Sequence, residues 1–349
     1  VTDALRFTIN GRFLGVSSPT GIQRVARSLL AAALPTLGSE ASVIAPHGVG
    51  DALVNRCIGR SGGPLTGLAW EQVTLPVAAR RSVTVSLANT GPLLATGGSA
   101  ILIHDLAPLT NPEWFHWRMG MYARIALAAS RRADLVFVVS HHVADVLTSR
   151  GVSAHAIHVV EPCVDPMFTP ADPVEVGAVL ARLGIEPPYV VHVGAEDPRK
   201  NAALLIRCHL SIVDAHPHQL VLVGGRHPNL APVELSKAPS IRAVGRLDEP
   251  SLRAVLTGAA ALGYPSLDEG FGLPPLEAQA CGTPALVSDI PVLRETSGPT
   301  ALRIDVDDVD GWTAALLAAI GDELEPPTVP SRQWAESASV FLDALRELR

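Results

Sequence analysis

Residues 267–282 read LDEGFGLPPLEAQACG. They follow a strand-like run, AALGYPS (260–266), and lead into a helical pattern, PLEAQAC. Open α/β sheets bind ligands beyond the carboxyl ends of their strands, so this turn lies where a ligand is expected. Two glycines let the chain turn sharply and present the amides of Phe271, Gly272 and Leu273 around a helix start. Pro274 and Pro275 suit the first helical positions, where a missing N–H is no loss. Such a start favours phosphate oxygens. Glu269 before the turn and Glu277 about one helical turn inside can each accept hydrogen bonds from sugar hydroxyls. The plainer alternative is a dipole interaction for Glu277 and a solvated loop position for Glu269.

Working outward, the pattern of this half is strand and helix in alternation. PYVVHVG (188–194), QLVLVGG (219–225), IRAVG (241–245), AALGYPS and PALVSDI (284–290) predict strands, with helices over 201–214 and near 251–259. Continuous apolar runs of this kind mark strands buried on both faces. The first half repeats the scheme. LRFTIN (5–10), ASVIAPH (41–47), AILIHDLAP (100–108), ADLVFVVS (133–140) and IHVVEP (157–162) predict strands, and helices are expected over 22–34, about 115–131 and 141–149. Residues 48–98 are the least readable. PMFTPADP (166–173), with three prolines, reads as the linker. The last segment, 331–349, is helical in pattern, and periodicity does not choose which domain it packs on.

Composition bounds the function. A chain of 349 residues is long enough for two α/β domains. Its net charge of -7 and pI near 5.9 argue against nucleic acid as a partner, because that binding depends on clustered cations. Hydrophobic residues make up 48%, yet no run reaches the length of a spanning helix, and no basic region followed by an apolar stretch opens the sequence. A cytoplasmic enzyme is expected, with peripheral membrane contact through 117–132 as an option. Cys57, Cys163, Cys208 and Cys281 are scattered and form neither a zinc motif nor a disulfide framework. Neither half shows the GxGxxG fingerprint after its first strand, which counts against a dinucleotide enzyme.

Residues 267–282 resemble the signature of the family 4 retaining glycosyltransferases, two glutamates separated by seven residues around a Gly-Phe-Gly turn. VHVGAEDPRKN (191–201), VGG (223–225), IHDLAP (103–108), VVSHHVADVL (138–147) and SDIPVLRE (288–295) are similar to segments of that family in the same order, over roughly 100–315. The resemblance implies a GT-B architecture: two Rossmann-like, doubly wound parallel-sheet domains facing a central cleft, with the C-terminal helix crossing back to the first. The expected domains are 1–168 on the acceptor side, 174–330 for the sugar nucleotide, and 331–349 as the returning helix.

The family's roles carry over residue by residue. Glu277 would hold the ribose hydroxyls, Glu269 would contact the donor sugar, and the amides of Phe271, Gly272 and Leu273 would help hold the diphosphate. Lys200 matches the family's phosphate-binding lysine; the other lysine of the chain is Lys237. The family often has an arginine directly after the glycine equivalent to Gly194, but here Ala195 stands there, and Arg199 is the candidate replacement. Position alone also recommends Arg199 and Lys200, since both follow a strand end; the plainer alternative for them is a solvated turn with Asp197 as partner. His104 would lie beside the reacting carbon and bind the donor sugar. Gly21, just before a helix in GVSSPTGIQR (15–24), stands where the family commonly has a glycine loop, although the usual Gly-Gly form is absent.

Two clusters read as decoys. DVDDVDG (305–311) fails the EF-hand register and reads as helix capping and surface charge. His216 and His218 lack a second ligand pair and read as turn residues. The resemblance implies transfer of a hexose, mannose from GDP-mannose as in the bacterial family members that SDIPVLRE and EDPRKN look most like, to a hydroxyl of a saccharide or lipid-linked acceptor, with retention and without a metal or other cofactor. UDP-glucose, UDP-galactose or GDP-fucose as donor, a phosphate-using transferase, and a non-catalytic sugar-nucleotide-binding scaffold are the rivals.

Overall fold

The structure is a computed structural model that describes residues 6–16, 19–49, 60–61, 65–225, 229–233, 238–329 and 331–348. Lys237 and Cys57 lie outside them. The chain divides into two compact units, one of Val1–Thr110, Trp117–Cys163 and Arg332–Arg349, the other of Asn111–His116 and Val164–Ser331.

The first unit carries a seven-stranded parallel sheet of β1 (Phe7–Asn10), β2 (Ala41–Ala45), β3 (Arg60–Ser61), β4 (Val83–Ser86), β5 (Ser99–Ile103), β6 (Leu135–Val138) and β7 (Ile157–Val159), in the order β3-β2-β1-β4-β5-β6-β7. The chain extends from β1 toward one edge and then returns to lay β4 on the other side of β1. That reversal creates a crevice at the carboxyl ends of β1 and β4.

Helix Gly21–Leu37 buries Val25, Ala26, Leu29, Leu30, Ala33, Leu34 and Leu37, a stripe at helical spacing. The C-terminal helix Trp334–Glu347 packs against it and against β6. Phe341 is fully buried, with its ring 4.7 Å from that of Phe137, and Ser337 Oγ donates to the Glu161 carbonyl at 2.6 Å. The last helix therefore belongs to the first unit, as the family resemblance implied and helical periodicity alone did not decide.

The second unit has six parallel strands: β8 (Tyr189–Val193), β9 (Gln219–Val223), β10 (Ile241–Gly245), β11 (Ala261–Tyr264), β12 (Ala285–Ser288) and β13 (Leu302–Ile304), in the order β10-β9-β8-β11-β12-β13. Its reversal falls between β8 and β11. Successive residues of a strand face opposite sides. Tyr189, Val191, Val221 and Tyr264 thus enter one core, while Val190, Leu220, Leu222 and the buried Trp312 enter the other. Local chemistry sets the element ends. Asp172 caps helix Pro173–Leu183 through the Val174 amide, and Gly184, at φ 65°, ends it.

The short segment Asn111–His116 is where the sequence reading departs most. The expected helix over about 115–131 spans Trp117–Ser130 instead. Ahead of it, Phe115 is extended and bridges Leu230, the His116 amide donates to the Asn229 carbonyl at 2.9 Å, and the Trp114 carbonyl accepts from Ala231. Helical periodicity cannot see such pairing, because its partner lies over a hundred residues away. No helix among the described residues is long and apolar enough to cross a membrane.

Candidate functional site

At the β8/β11 reversal the second unit gathers most of the residues singled out in its sequence. Gly194 follows β8, and its φ of +97° favours glycine; a Cβ there would meet Lys200 Cγ at 2.8 Å, so the bare backbone makes room for the lysine stem. The Lys200 ammonium hydrogen-bonds the Tyr264 hydroxyl and Glu269 Oε1, and stands 4.7 Å from the centre of the Tyr264 ring. The Lys200 and Glu269 side chains are only 14% and 7% exposed, so water screens the pair weakly. Burial, and then the Glu269 charge, push the Tyr264 hydroxyl well above its usual range and keep it protonated.

The sequence reading missed Tyr264. Its signal was positional, an aromatic with a polar tip at the carboxyl end of a buried strand.

Arg199 is placed differently from Lys200. Its guanidinium pairs with Asp197 at 2.7 Å and stacks over the Phe115 ring at 5.4 Å. Burial raises the Asp197 carboxyl, but the Arg199 charge and its hydrogen bonds outweigh that and leave it lowered. Both side chains are mostly buried, so the solvated turn considered as an alternative is not what forms. Asn111 Nδ2 donates to Asp268 at 3.3 Å, which fastens the Asn111–His116 segment to the loop before Glu269.

Helix Leu273–Ala280 starts after Gly272, at φ 86° and ψ 62°. A Cβ on Gly272 would lie 2.7 Å from Leu293 Cδ2, and the Thr296 hydroxyl donates to the Phe271 carbonyl. Helix Pro291–Thr296, which begins in SDIPVLRE and ends one residue beyond it, therefore clamps the Gly-Phe-Gly turn from behind. With prolines at 274 and 275, the amides of Gly272 and Leu273 are the foremost donors at this helix start. Glu277 is buried in the body of the helix.

His192, in β8, was also missed. Its Nδ1 pairs with the Gly263 carbonyl at 2.9 Å while Nε2 is buried without a partner among the described residues, and burial holds its pKa down at about 4.

Gly21 and His104 belong to the first unit. Gly21 is exposed at the first position of its helix, and a Cβ there would touch nothing within 4 Å. The preceding Thr20 is tied to Gln23, whose Oε1 accepts from both its amide and its hydroxyl. His104 is buried just after β5, with its amide held by Asn89 Oδ1 at 2.6 Å and Nε2 at 2.9 Å from the Leu87 carbonyl. A carbonyl only accepts, so Nε2 carries the proton. Burial lowers the pKa, and the ring is therefore neutral with Nδ1 as an acceptor.

The decoys resolve separately. Asp308 caps helix Val309–Ile320 through the Gly311 amide at 2.8 Å, as the capping reading expected. His216 is an exposed turn residue, but His218 is buried and bonded to His209 at 2.8 Å, a contact from a neighbouring helix that its turn-like surroundings concealed.

A parallel sheet that brings a cation, two buried carboxylates and a glycine-bounded helix start to its reversal point is suited to a phosphorylated sugar, and paired with a second such sheet it is the fold of the GT-B glycosyltransferases. Residues 187–322 match the family described as glycosyl transferases group 1. The chain belongs to this family, within the family 4 group related to bacterial O-antigen transferases. It is 31% identical over 235 residues to the O-antigen chain mannosyltransferase RfbU of Salmonella typhimurium, covering 65% of this chain and 62% of that one. It is 32% identical over 283 residues to the MMP alpha-(1->4)-mannosyltransferase of Mycolicibacterium hassiacum, covering 73% and 66%. The matched stretch thus spans less than two thirds of either relative. Among solved structures, Anabaena HepE in complex with UDP-glucose superposes with a TM-score of 0.65 at 15% identity, over 98% of this chain and 94% of that one, a likeness of fold.

Proposed function

We propose that this chain transfers a hexose from a nucleoside diphosphate sugar to a hydroxyl of a saccharide or lipid-linked acceptor, with retention of anomeric configuration. Mannose from GDP-mannose is our reading of the donor, supported by the mannosyltransferase names of two of its relatives. The observation that carries the proposal is the convergence of Lys200, Tyr264 and Glu269 beside the Gly272 helix start.

As the glycosidic bond breaks, charge grows on the departing diphosphate. Lys200 and the amides of Phe271, Gly272 and Leu273 are fixed in advance where they can stabilise it, so little reorganisation accompanies the reaction. Glu269 takes donor-sugar hydroxyls and Glu277 the ribose hydroxyls. Arg199, paired with Asp197 and stacked on the Phe115 ring, acts chiefly by bracing the turn. Neutral His104 offers Nδ1 as an acceptor to the sugar, and the leaving phosphate oxygen takes the acceptor's proton. Gly21 keeps the start of its helix open to an approaching ligand. No step needs a metal.

The test is calorimetric titration of GDP-mannose, UDP-glucose, GDP and UDP into the native chain and Glu277→Gln. One nucleotide series is expected to bind and to weaken at least about tenfold, roughly 1.4 kcal/mol, in the variant. Preference for UDP-glucose would move the donor to the second reading, the same reaction with another sugar nucleotide. Binding of no nucleotide would sink the proposal. Binding without turnover of any acceptor would leave a sugar-nucleotide-binding scaffold. The anomeric configuration of the product, read by NMR, decides retention.

A further inference from the structure

The first sheet carries a polar site of its own at the reversal between β1 and β4, outside every residue assigned above. β1 ends at Asn10, paired in register with Ser86 at the end of β4. Gly11 follows, and a Cβ there would lie 2.9 Å from both the Ile44 carbonyl oxygen and Val43 Cγ1, so only glycine lets the turn press onto β2. That turn brings Arg12 back over the strand ends. Arg12 Nε donates to Glu71 Oε2 at 2.8 Å and Nη2 to the Thr90 hydroxyl, which in turn donates to Glu71 Oε2 at 3.1 Å. Asn10 Nδ2 bonds both Glu71 at 2.9 Å and Ser86 at 3.2 Å, and Asn10 Oδ1 accepts the Arg12 amide.

Glu71 is fully buried, and its Oε1 has no hydrogen-bond partner among the described residues. It sits in the wide π-type turn Trp70–Thr74, a form frequent at functional positions. An ion pair of this kind is poor evidence of stabilisation, because desolvating both charges offsets the attraction. Its clear effect is orientation. Gln72 fixes the facing loop as well, bonding the Gly91 carbonyl and the Leu93 amide, each at 2.9 Å. The Arg12 guanidinium is therefore held along one side by Glu71 and Thr90, while Nη1 bonds to no described residue and the side chain stays 26% exposed.

The arrangement repeats that of the second sheet. There Lys200, from the turn after β8, is held by a carboxylate and a hydroxyl at the β8/β11 reversal; here Arg12, from the turn after β1, is held by a carboxylate and a hydroxyl at the β1/β4 reversal. We infer that Arg12 binds an oxyanion carried by the acceptor, a phosphate ester or a sugar carboxylate, through its Nη1 side. The inference rests on the transferase reading for the word acceptor. A planar guanidinium with N–H groups facing outward matches the two oxygens of such a group.

The test observes Arg12 directly. The full chain, labelled with 15N-arginine, is titrated at constant ionic strength with methyl phosphate, with D-glucuronate and with methyl α-D-mannoside; the Nε–H signal of Arg12 is assigned by its absence from Arg12→Lys and, independently, from Arg12→Gln. A saturable shift of that signal with methyl phosphate or glucuronate, weakened at least about tenfold for the same anion by Arg12→Lys as read from neighbouring signals, is expected, and the tighter anion names the source. An unmoved Arg12 signal, or an equal shift with the neutral mannoside, overturns the inference. Nucleotide calorimetry on the same sample reports the donor site separately, so failure at Arg12 and failure of the transferase reading are distinguishable.

Discussion

The Lys200 ammonium is shared between the Tyr264 hydroxyl and the Glu269 carboxylate, which joins the turn after β8 to the end of β11 and to the glycine turn that follows it. Lys200→Gln removes the cation that faces the leaving diphosphate. Turnover should fall by about 10²–10³, the loss seen when a single preorganised transition-state donor is deleted. Tyr264→Phe keeps the ring beneath the ammonium and removes only the hydroxyl, so a smaller fall, about tenfold, is expected. Steady-state kinetics on the best-bound sugar nucleotide check both; equal losses would contradict the ranking.

Two glycines should separate folding from function. Gly272→Ala places a Cβ at positive φ and against Leu293, and should destabilise the second unit by about 1–3 kcal/mol in urea unfolding. Gly21→Ala meets no atom within 4 Å and keeps an ordinary helical position, so stability should change by no more than about 0.5 kcal/mol. A fall in turnover for Gly21→Ala with unchanged stability would be the signature of close ligand approach there.

Phe341→Ala empties a fully buried position against Phe137 and should cost about 3–5 kcal/mol. Hydrogen exchange should then rise in helix Trp334–Glu347 and in its neighbour Gly21–Leu37. Protection unchanged in both helices would show that the last helix is not part of that core.

Acid should weaken the second unit over a defined window. Burial holds His192 and His209 near about 4, below the ordinary value of 6.5, so each is neutral in the folded state while the unfolded chain takes up a proton. Their stabilisation is present above pH 6.5 and is lost as pH falls toward 4, at up to about 1.4 kcal/mol per pH unit for each. Urea midpoints measured from pH 7 to 4 should decline across that interval, and His192→Asn should flatten the slope.

How much was legible follows from the range of each interaction. The spacing from Glu269 through the Gly-Phe-Gly turn to Glu277 is local chain geometry, and it announced both the helix start at Leu273 and the edge where the site lies. The buried strands were equally plain, because LVFV is apolar along its whole length and YVVHV is interrupted only by His192. β13, three residues long, and the turns around β4 gave no comparable run and were passed over or left unread. The Ala195 departure and Asp197 as a partner for Arg199 were both visible in the sequence, but the stacking of Arg199 on Phe115 was not, since Phe115 lies eighty-four residues earlier in the chain.

By itself, then, the sequence determined two parallel α/β units, the glycine turn and the residues available to it, since turn chemistry and apolar periodicity act over a few neighbouring residues. Tertiary structure alone decided that Tyr264 would hold Lys200, that Asn111–His116 would pair within the second unit, and that Glu71 and Thr90 would aim Arg12. Those contacts join segments far apart in the chain. Their geometry is set by which strands lie side by side at each reversal of the sheet, and no local pattern encodes that order.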